Sequence, residues 1–363
     1  MSIWLAVSSI AFLIQLAYWS AFHLGFRKAL TAPRRGDARR GVSVLVAAHN
    51  EQKNLPDLLA SLAPQCVGER ELIVVDDDSA DSTPSILHSA ADMFASGHLR
   101  VVTMRETAQP RKKRALTAGI AAASYPILLF TDADCVPGPG WIDAMLESLP
   151  DSPDGLIVGY SPFAPRRGFL NLVARYETFV TGYATAAAIG LGHPFMAVGR
   201  NIAYTRTLFD AVDGFSHSLH VLSGDDDLFV QHVAANSNAP IVHAFSPASF
   251  VRTEAPDTWR SWIRQKLRHT SAGKYYAAAT KRHLAAYHSS AITLWVAAVF
   301  GPGMSLALLL LRQLVQFGAL VPGARRLGET RLLVTQPLLE LTYILYNTVL
   351  APLGVVLKRR TWN

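Results

Sequence analysis

Charge is scarce in this chain: 17% of its 363 residues are Asp, Glu, Lys or Arg, where a soluble domain carries about a quarter. The stretch Ile3 to Phe26 has none. As a helix rising about 1.5 Å per residue, it is long enough for a hydrocarbon layer of about 30 Å. Cysteine is nearly absent. Cys66 and Cys135 are the only two, which excludes a disulfide framework, and they lack zinc-ligand spacing, so the body of the chain suits a reducing compartment. Internal repeats and low-complexity tracts are missing too, which leaves one large domain with accessories, or two domains.

The charge-free stretch reads as an uncleaved membrane anchor. A signal peptide would begin basic, run shorter and end at a small-residue cleavage site. Arg27, Lys28, Arg34, Arg35, Arg39 and Arg40 follow it, opposed only by Asp37; such flanks mark the cytoplasmic side and put the amino terminus outside. The net charge of +7, distributed this way, fits lipid headgroups and phosphates better than nucleic acid.

From Gly41 the pattern changes. Four apolar runs, Ser43 to Val46, Leu72 to Val75, Arg100 to Met104 and Ile127 to Phe130, recur at intervals of nearly thirty residues with helix-compatible sequence between them. That is the rhythm of βαβ units and predicts a mostly parallel sheet. Polar residues stand directly after each run: His49-Asn50-Glu51, Asp76-Asp77-Asp78, Arg105-Glu106, then Asp132 and Asp134. Open α/β sheets bind ligands at the carboxyl ends of their strands. Asp132 and Asp134 are separated by one residue, so extended backbone points them the same way. Two such carboxylates suit a hard cation, Mg2+ or Mn2+, shared with phosphate oxygens. Asp77 or Asp78 suits a base or ribose, and Arg105, Arg111, Lys112, Lys113 and Arg114 suit a diphosphate. Taken singly, each has a plainer reading: a helix N-cap or turn for the aspartates, a solvated basic loop for the cations.

Taken together, Val42-Ser-Val-Leu-Val-Ala-Ala-His-Asn-Glu51, Val74-Val-Asp-Asp-Asp-Ser-Ala-Asp-Ser-Thr83, Lys112-Lys-Arg-Ala-Leu-Thr-Ala-Gly119 and Thr131-Asp-Ala-Asp134 resemble the nucleotide-sugar half of family 2 glycosyltransferases. The resemblance implies the α/β GT-A fold, a nucleotide-sugar-binding domain with a mostly parallel central sheet, here flanked by N- and C-terminal transmembrane helices. By the same resemblance Ala48, Glu51 and Asp77 surround the base and ribose, Lys112 lies near the diphosphate, Asp132 contacts the nucleotide and shares the metal, and Asp134 holds the metal. Ala48-His49 stands where the family has proline and an aromatic residue.

The acceptor half begins near Pro150. Gly199-Arg-Asn-Ile-Ala203 resembles the family's Gly-x-Asn-x-Ala element, which lines the donor sugar. Ser223-Gly-Asp-Asp-Asp-Leu228 falls where the family carries Glu-Asp before an apolar helix. That alignment makes Asp225 the equivalent of the catalytic base, with Asp226 as the alternative register. A carboxylate there would take the acceptor hydroxyl's proton; in isolation the segment is an N-cap. Thr258 to His269 has amphipathic spacing, with Trp259, Trp262, Ile263 and Leu267 separable from Arg260, Arg264, Lys266 and Arg268, as in a helix lying in a membrane interface. Within it Gln265, Arg268 and His269 resemble the family's Gln-x-x-Arg-Trp motif, which makes Gln265 and Arg268 donor-side contacts. In chain-extending relatives the tryptophan stacks on the acceptor sugar, so His269 argues against processive polymerisation.

After Arg282 the chain returns to apolar sequence. Leu284 to Leu311 lacks charge but holds Gly301-Pro-Gly303, which makes it one kinked span or a tight pair. Leu332 to Leu357 is a further span that contains Glu340 and ends at Lys358-Arg-Arg360. An acid inside a span faces protein or a polar path, so Glu340 is a helix–helix partner or a secondary acceptor contact. The expected organisation is an anchor over 1–26, a basic linker over 27–40, the catalytic domain over 41–256, an interfacial region over 257–283 and a membrane region over 284–363. The expected protein is an inverting glycosyltransferase of the bacterial inner membrane with its catalytic domain in the cytoplasm. It would use Mg2+ or Mn2+ to move sugar from a nucleotide diphosphate, a UDP-sugar first among the donors, to a lipid-borne hydroxyl. A processive polysaccharide synthase, a nucleotidyltransferase and an inactive membrane scaffold are the alternatives.

Overall fold

The structure, a computed structural model, describes residues 3–33, 36–105, 108–150, 152, 154–301 and 303–356. Arg34, Arg35, Glu106, Pro302 and the run 357–360, all named above, lie outside this set. The chain opens with helix α1 (Ile3–Thr31). Then come β1 (Val42–Ala48), α2 (Leu55–Leu62), β2 (Arg70–Asp77), α3 (Thr83–Ser89), β3 (Leu99–Met104), α4 (Arg111–Ala122) and β4 (Ile127–Phe130). The short β5 (Val136–Pro137), α5 (Trp141–Ser148) and β6 (Leu156–Val158) lead to the long α6 (Phe169–Gly190). Next are β7 (Ile202–Thr205), α7 (Arg206–Ala211), α8 (Asp227–Asn236), β8 (Ile241–His243) and β9 (Val251–Arg252). Helices α9 (Trp259–Thr270), α10 (Ala278–Phe300), α11 (Met304–Leu327) and α12 (Gln336–Val356) complete the described chain.

Two compact units result: one holds the strands with α2 to α5, α7 and α8, the other α1, α6 and α9 to α12. In the first, seven strands of the described residues form one sheet in the order β3-β2-β1-β4-β7-β6-β8. The strands β3, β2, β1 and β4 run parallel, β7 is antiparallel to both its neighbours, and β6 and β8 are parallel again. Continuous apolar runs such as Val42 to Ala48 suit this position, because a mostly parallel sheet is covered on both faces. Val44, Val46, Leu72, Val74 and Leu129 all lie in one core with Leu58, Leu62 and Trp141. The strand ends are thereby held rigid, and the polar residues after them are delivered to one edge.

In the second unit the usual distribution of polarity is reversed. Ile10, Leu13, Leu310, Leu314, Leu345 and Val349 are exposed, whereas Gln15, Arg312, Gln316 and Glu340 are buried. Arg312 pairs with Glu340, and its guanidinium also donates to Gln316 Oε1 and, at 2.7 and 3.1 Å, to Gln15 Oε1. Gln313 donates to the other Glu340 oxygen at 2.7 Å. Glu340 is thus the helix–helix partner of the two expectations. Helices α1 and α11 are long and apolar enough to cross a membrane.

Three boundaries differ from expectation. Helix α1 continues through Arg27 and Lys28 to Thr31, into the expected linker. The break after Phe300 separates α10 from α11, so that stretch is a pair and not one kinked span. Finally, 165–193 groups with the terminal helices and interrupts the domain expected over 41–256. The reason is close packing: a Cβ at Gly190 would strike the Gly25 carbonyl, and one at Gly25 the Ala187 carbonyl. Small residues let two helix backbones meet. Gly190→Leu is therefore expected to lower the thermal midpoint by several degrees, since overpacking costs roughly 1–3 kcal/mol. An unchanged midpoint would count against that crossing.

Candidate active site

The carboxyl ends of β1 and β2 carry two interlaced loops. Asn50 (φ 59) and Asp78 (φ 55) take the left-handed conformation, which Asn and Asp tolerate best among residues with a side chain. Asn50 Oδ1 accepts from Ala80 N at 2.8 Å, Glu51 N donates to Thr83 Oγ1 at 2.8 Å, and Asn50 N donates to Ser79 Oγ at 3.0 Å. Ala48 ends β1 with its methyl in the core. Glu51 is half-buried and accepts from Asn54 Nδ2 at 2.6 Å. Burial, together with the charges of Asp134 and Asp132, raises its carboxyl above the usual range.

The cation run is not a loop. Arg111 to Arg114 form the first turn of α4, where successive side chains diverge by about 100°. Arg111 turns to β2, donating to Asp77 Oδ2 at 2.8 Å and to the Asp77 carbonyl at 2.5 Å. Lys112 Nζ lies 3.0 Å from Asp132 Oδ1 and 3.0 Å from Asp225 Oδ2. Lys113 is buried and donates to the Ser218 and Val221 carbonyls at 2.7 and 3.1 Å. Cations at a helix N-terminus oppose its dipole; here Asp77, Asp132 and Asp225 offset that. Burial works against the Lys112 charge, but Asp132, Asp225 and Asp226 outweigh it and hold its ammonium above the usual lysine range. Burial brings Lys113 down to about 8 against the pull of Asp225 and Asp226.

Asp225 and Asp226 do different work. Asp226 Oδ1 accepts from Asp227 N at 2.7 Å and Oδ2 from Gly199 N at 2.9 Å, so it caps α8 and ties the Gly199 segment to it. Burial, with Asp225 beside it, raises its carboxyl to about 6. Asp225 presents its carboxylate to Lys112. A Cβ at Gly199 would sit 3.1 Å from Asp225 Oδ2, 3.3 Å from Asp226 Oδ2 and 3.5 Å from Lys112 Nζ, which accounts for the glycine. Within the element expected to line the donor sugar, Asn201 is a bracket. Its amide donates to the Tyr160 and Ser249 carbonyls at 2.9 and 2.8 Å and accepts from Trp141 Nε1 at 3.1 Å.

Asp134 is exposed at the turn after β4, and the Cys135 thiol is 3.5 Å from its Oδ1. Among the described residues, no three His, Cys, Asp or Glu side chains converge closely enough to hold a metal by themselves. Gln265 and Arg268 belong to α9 in the helical unit and are half-buried there. On that helix Lys266 is not on the solvated face: it is buried, 2.7 Å from Glu177 Oε2 and over the Trp262 ring. The pairing of Arg111 with Asp77 and the burial of Lys113 had no signal in the sequence, where a basic run reads as solvated.

The family model "Glycosyl transferase family 2" matches residues 43–212. A probable glycosyltransferase, YdaM, of Bacillus subtilis is 25% identical over 241 residues, which are 64% of this chain and 55% of that protein. The 4,4'-diaponeurosporenoate glycosyltransferase of Staphylococcus haemolyticus is 35% identical over 119 residues, 33% of this chain and 30% of that protein. The chain thus spans about half, or less, of the length of these relatives. Among solved structures, the mannosyltransferase PcManGT from Pyrobaculum calidifontis, in complex with GDP-Man and Mn2+, has the same fold. It aligns with a TM-score of 0.56 and 19% identity over 94% of this chain and 99% of that one.

Proposed function

The chain belongs to the family 2 glycosyltransferases and has a GT-A fold, and from that premise we propose that it moves one sugar from a nucleoside diphosphate to a lipid-borne hydroxyl, with inversion. One observation carries the reading. Lys112 joins Asp132, at the end of β4, to Asp225, before α8, so a donor-side and an acceptor-side carboxylate meet at the carboxyl edge of the sheet. Asp225 would take the acceptor proton while that oxygen bonds to the anomeric carbon and the bond to the diphosphate oxygen breaks. Asp226, with both oxygens on backbone N–H groups, is the lesser candidate for the base. Glu51 and Asp77 are assigned to the base and ribose, with Ala48 contributing backbone alone; Gln265 and Arg268 are assigned to the donor side.

The carboxylates fit a divalent cation. Asp134 is exposed and has no ion pair among the described residues, and a hard ion commonly takes one or two carboxylates and completes its shell from phosphates. Asp134 and Asp132 would hold Mg2+ or Mn2+, which supplies charge to offset the leaving diphosphate.

Exposed apolar side chains on α1, α11 and α12 and the named substrate of the staphylococcal relative support a membrane-borne acceptor. The basic residues that follow the apolar stretch of α1 support a cytoplasmic sheet unit, and a bacterial inner membrane is the residence we assign to the chain. His269 supports single transfer over polymerisation. The test is turnover of UDP- and GDP-sugars by full-length protein in native lipid, with and without Mn2+, beside Asp134→Ala. Expected are metal-dependent nucleotide release and one sugar on an extractable lipid, reduced about 100-fold in the variant. A long polymer would favour a synthase, and bound nucleotide without turnover would sink the reading.

A further inference from the structure

We propose that Lys113 is a positioning residue for transfer, clamping the turn that delivers Asp225. The proposal rests on the function argued above. Helix α4 reaches this part of the molecule with two adjacent lysines. Lys112 meets the Asp225 carboxylate itself, while Lys113 holds the carbonyls of Ser218 and Val221 in the preceding turn. The same Ser218 carbonyl accepts from Val221 N at 3.0 Å, so the lysine reinforces a turn that already closes on itself. Between the turn and Asp225 stands Gly224 in the left-handed conformation, φ 81, where the backbone has most freedom. A clamp on one side of that glycine and an ion pair on the other leave Asp225 little room to wander.

Packing alone does not call for a lysine here. The side chain is fully buried, and burying an ammonium is costly unless its hydrogen bonds are supplied. Methionine would fill similar space but would leave both carbonyls without this donor. The lysine's function is therefore read from its two hydrogen bonds. The Asp225 and Asp226 charges, which favour its ammonium form, are those of the segment it positions.

The test compares Lys113→Met and Lys113→Arg with wild type in full-length protein in native lipid, using whichever nucleotide sugar wild type turns over. Small misplacements of a catalytic group lower rates by factors of about 10 to 100. Lys113→Met is expected to lower kcat by at least about tenfold, with donor KM within about twofold and faster amide exchange confined to 216–224. Lys113→Arg should restore part of kcat. A kcat near wild type in Lys113→Met overturns the proposal, as does equal loss of nucleotide affinity and melting temperature, which would mark a merely structural lysine. Should Lys113→Met not fold, Lys113→Gln keeps a hydrogen-bond donor and is expected to show the same split more weakly; no split there overturns it as well. Absence of transfer by wild type would refute the functional reading itself, whereas an active wild type with an unimpaired variant refutes only the role of Lys113.

Discussion

Asp225→Asn is expected to lower kcat by about 10² to 10⁴-fold, the range for removing a general base, while leaving nucleotide affinity within a few-fold. The amide keeps the shape of the carboxylate but cannot accept the acceptor proton. Lys112 would still have Asp132 at 3.0 Å, so the donor-side lysine should stay in place. Asp226→Asn makes the contrast. An amide has one oxygen where Asp226 uses two to accept from Gly199 N and Asp227 N, so this variant should lose melting temperature before it loses chemistry. The measurements are kcat, nucleotide affinity by titration calorimetry and thermal midpoint for both variants. A larger kcat loss in Asp226→Asn at an unchanged midpoint would transfer the base role to Asp226.

The second large effect lies in the helical unit. Arg312→Met and Glu340→Leu are each expected to destabilise the protein by about 3–5 kcal/mol, because removing one member of a buried pair leaves the other charge uncompensated. The double variant should recover most of that loss, since replacing a buried pair by apolar side chains of similar size is often neutral. Recovery will fall short of complete. Gln15 and Gln316 accept from Arg312, and Gln313 donates to Glu340, and these amides would lose a partner. Denaturant or thermal unfolding in one detergent decides the matter, and single variants as stable as wild type would mean that the network is hydrated and weak. The network also draws on Gln15 of α1, so α1 is a structural member of the bundle as well as a candidate span.

The four strands and the residues following them were legible because each rests on a local pattern: an apolar run, then polar side chains where the run stops. Asp77 and Asp132 could be named for the same reason, whereas Asp225, ahead of α8, could be named only from the family resemblance. The basic run at 111–114 was not legible in the same way. Its residues were counted as a loop, yet the helix distributes them to Asp77, to Asp132 and Asp225, and to the carbonyls of Ser218 and Val221. The bracing role of Asn201 is illegible for a related reason. Its neighbours Tyr160, Ser249 and Trp141 are distant in sequence, and nothing local distinguishes an amide that binds sugar from one that braces three distant segments. Helical spacing groups Lys266 with the basic residues of an interfacial helix, but Glu177 on α6 gives it a buried partner.

By itself the sequence determined the α/β class, the first four strands, the carboxylate-bearing edge and the terminal apolar helices, since hydrophobic period and strand-end polarity are properties of neighbouring residues. Only the tertiary structure decided that α6 joins the terminal helices, that Lys112 links Asp132 to Asp225, that Asp226 is occupied by backbone, and that Lys113 is buried. Each of these depends on which distant group satisfies a charge, a hydrogen bond or a close backbone approach, and that is settled only when the chain has packed.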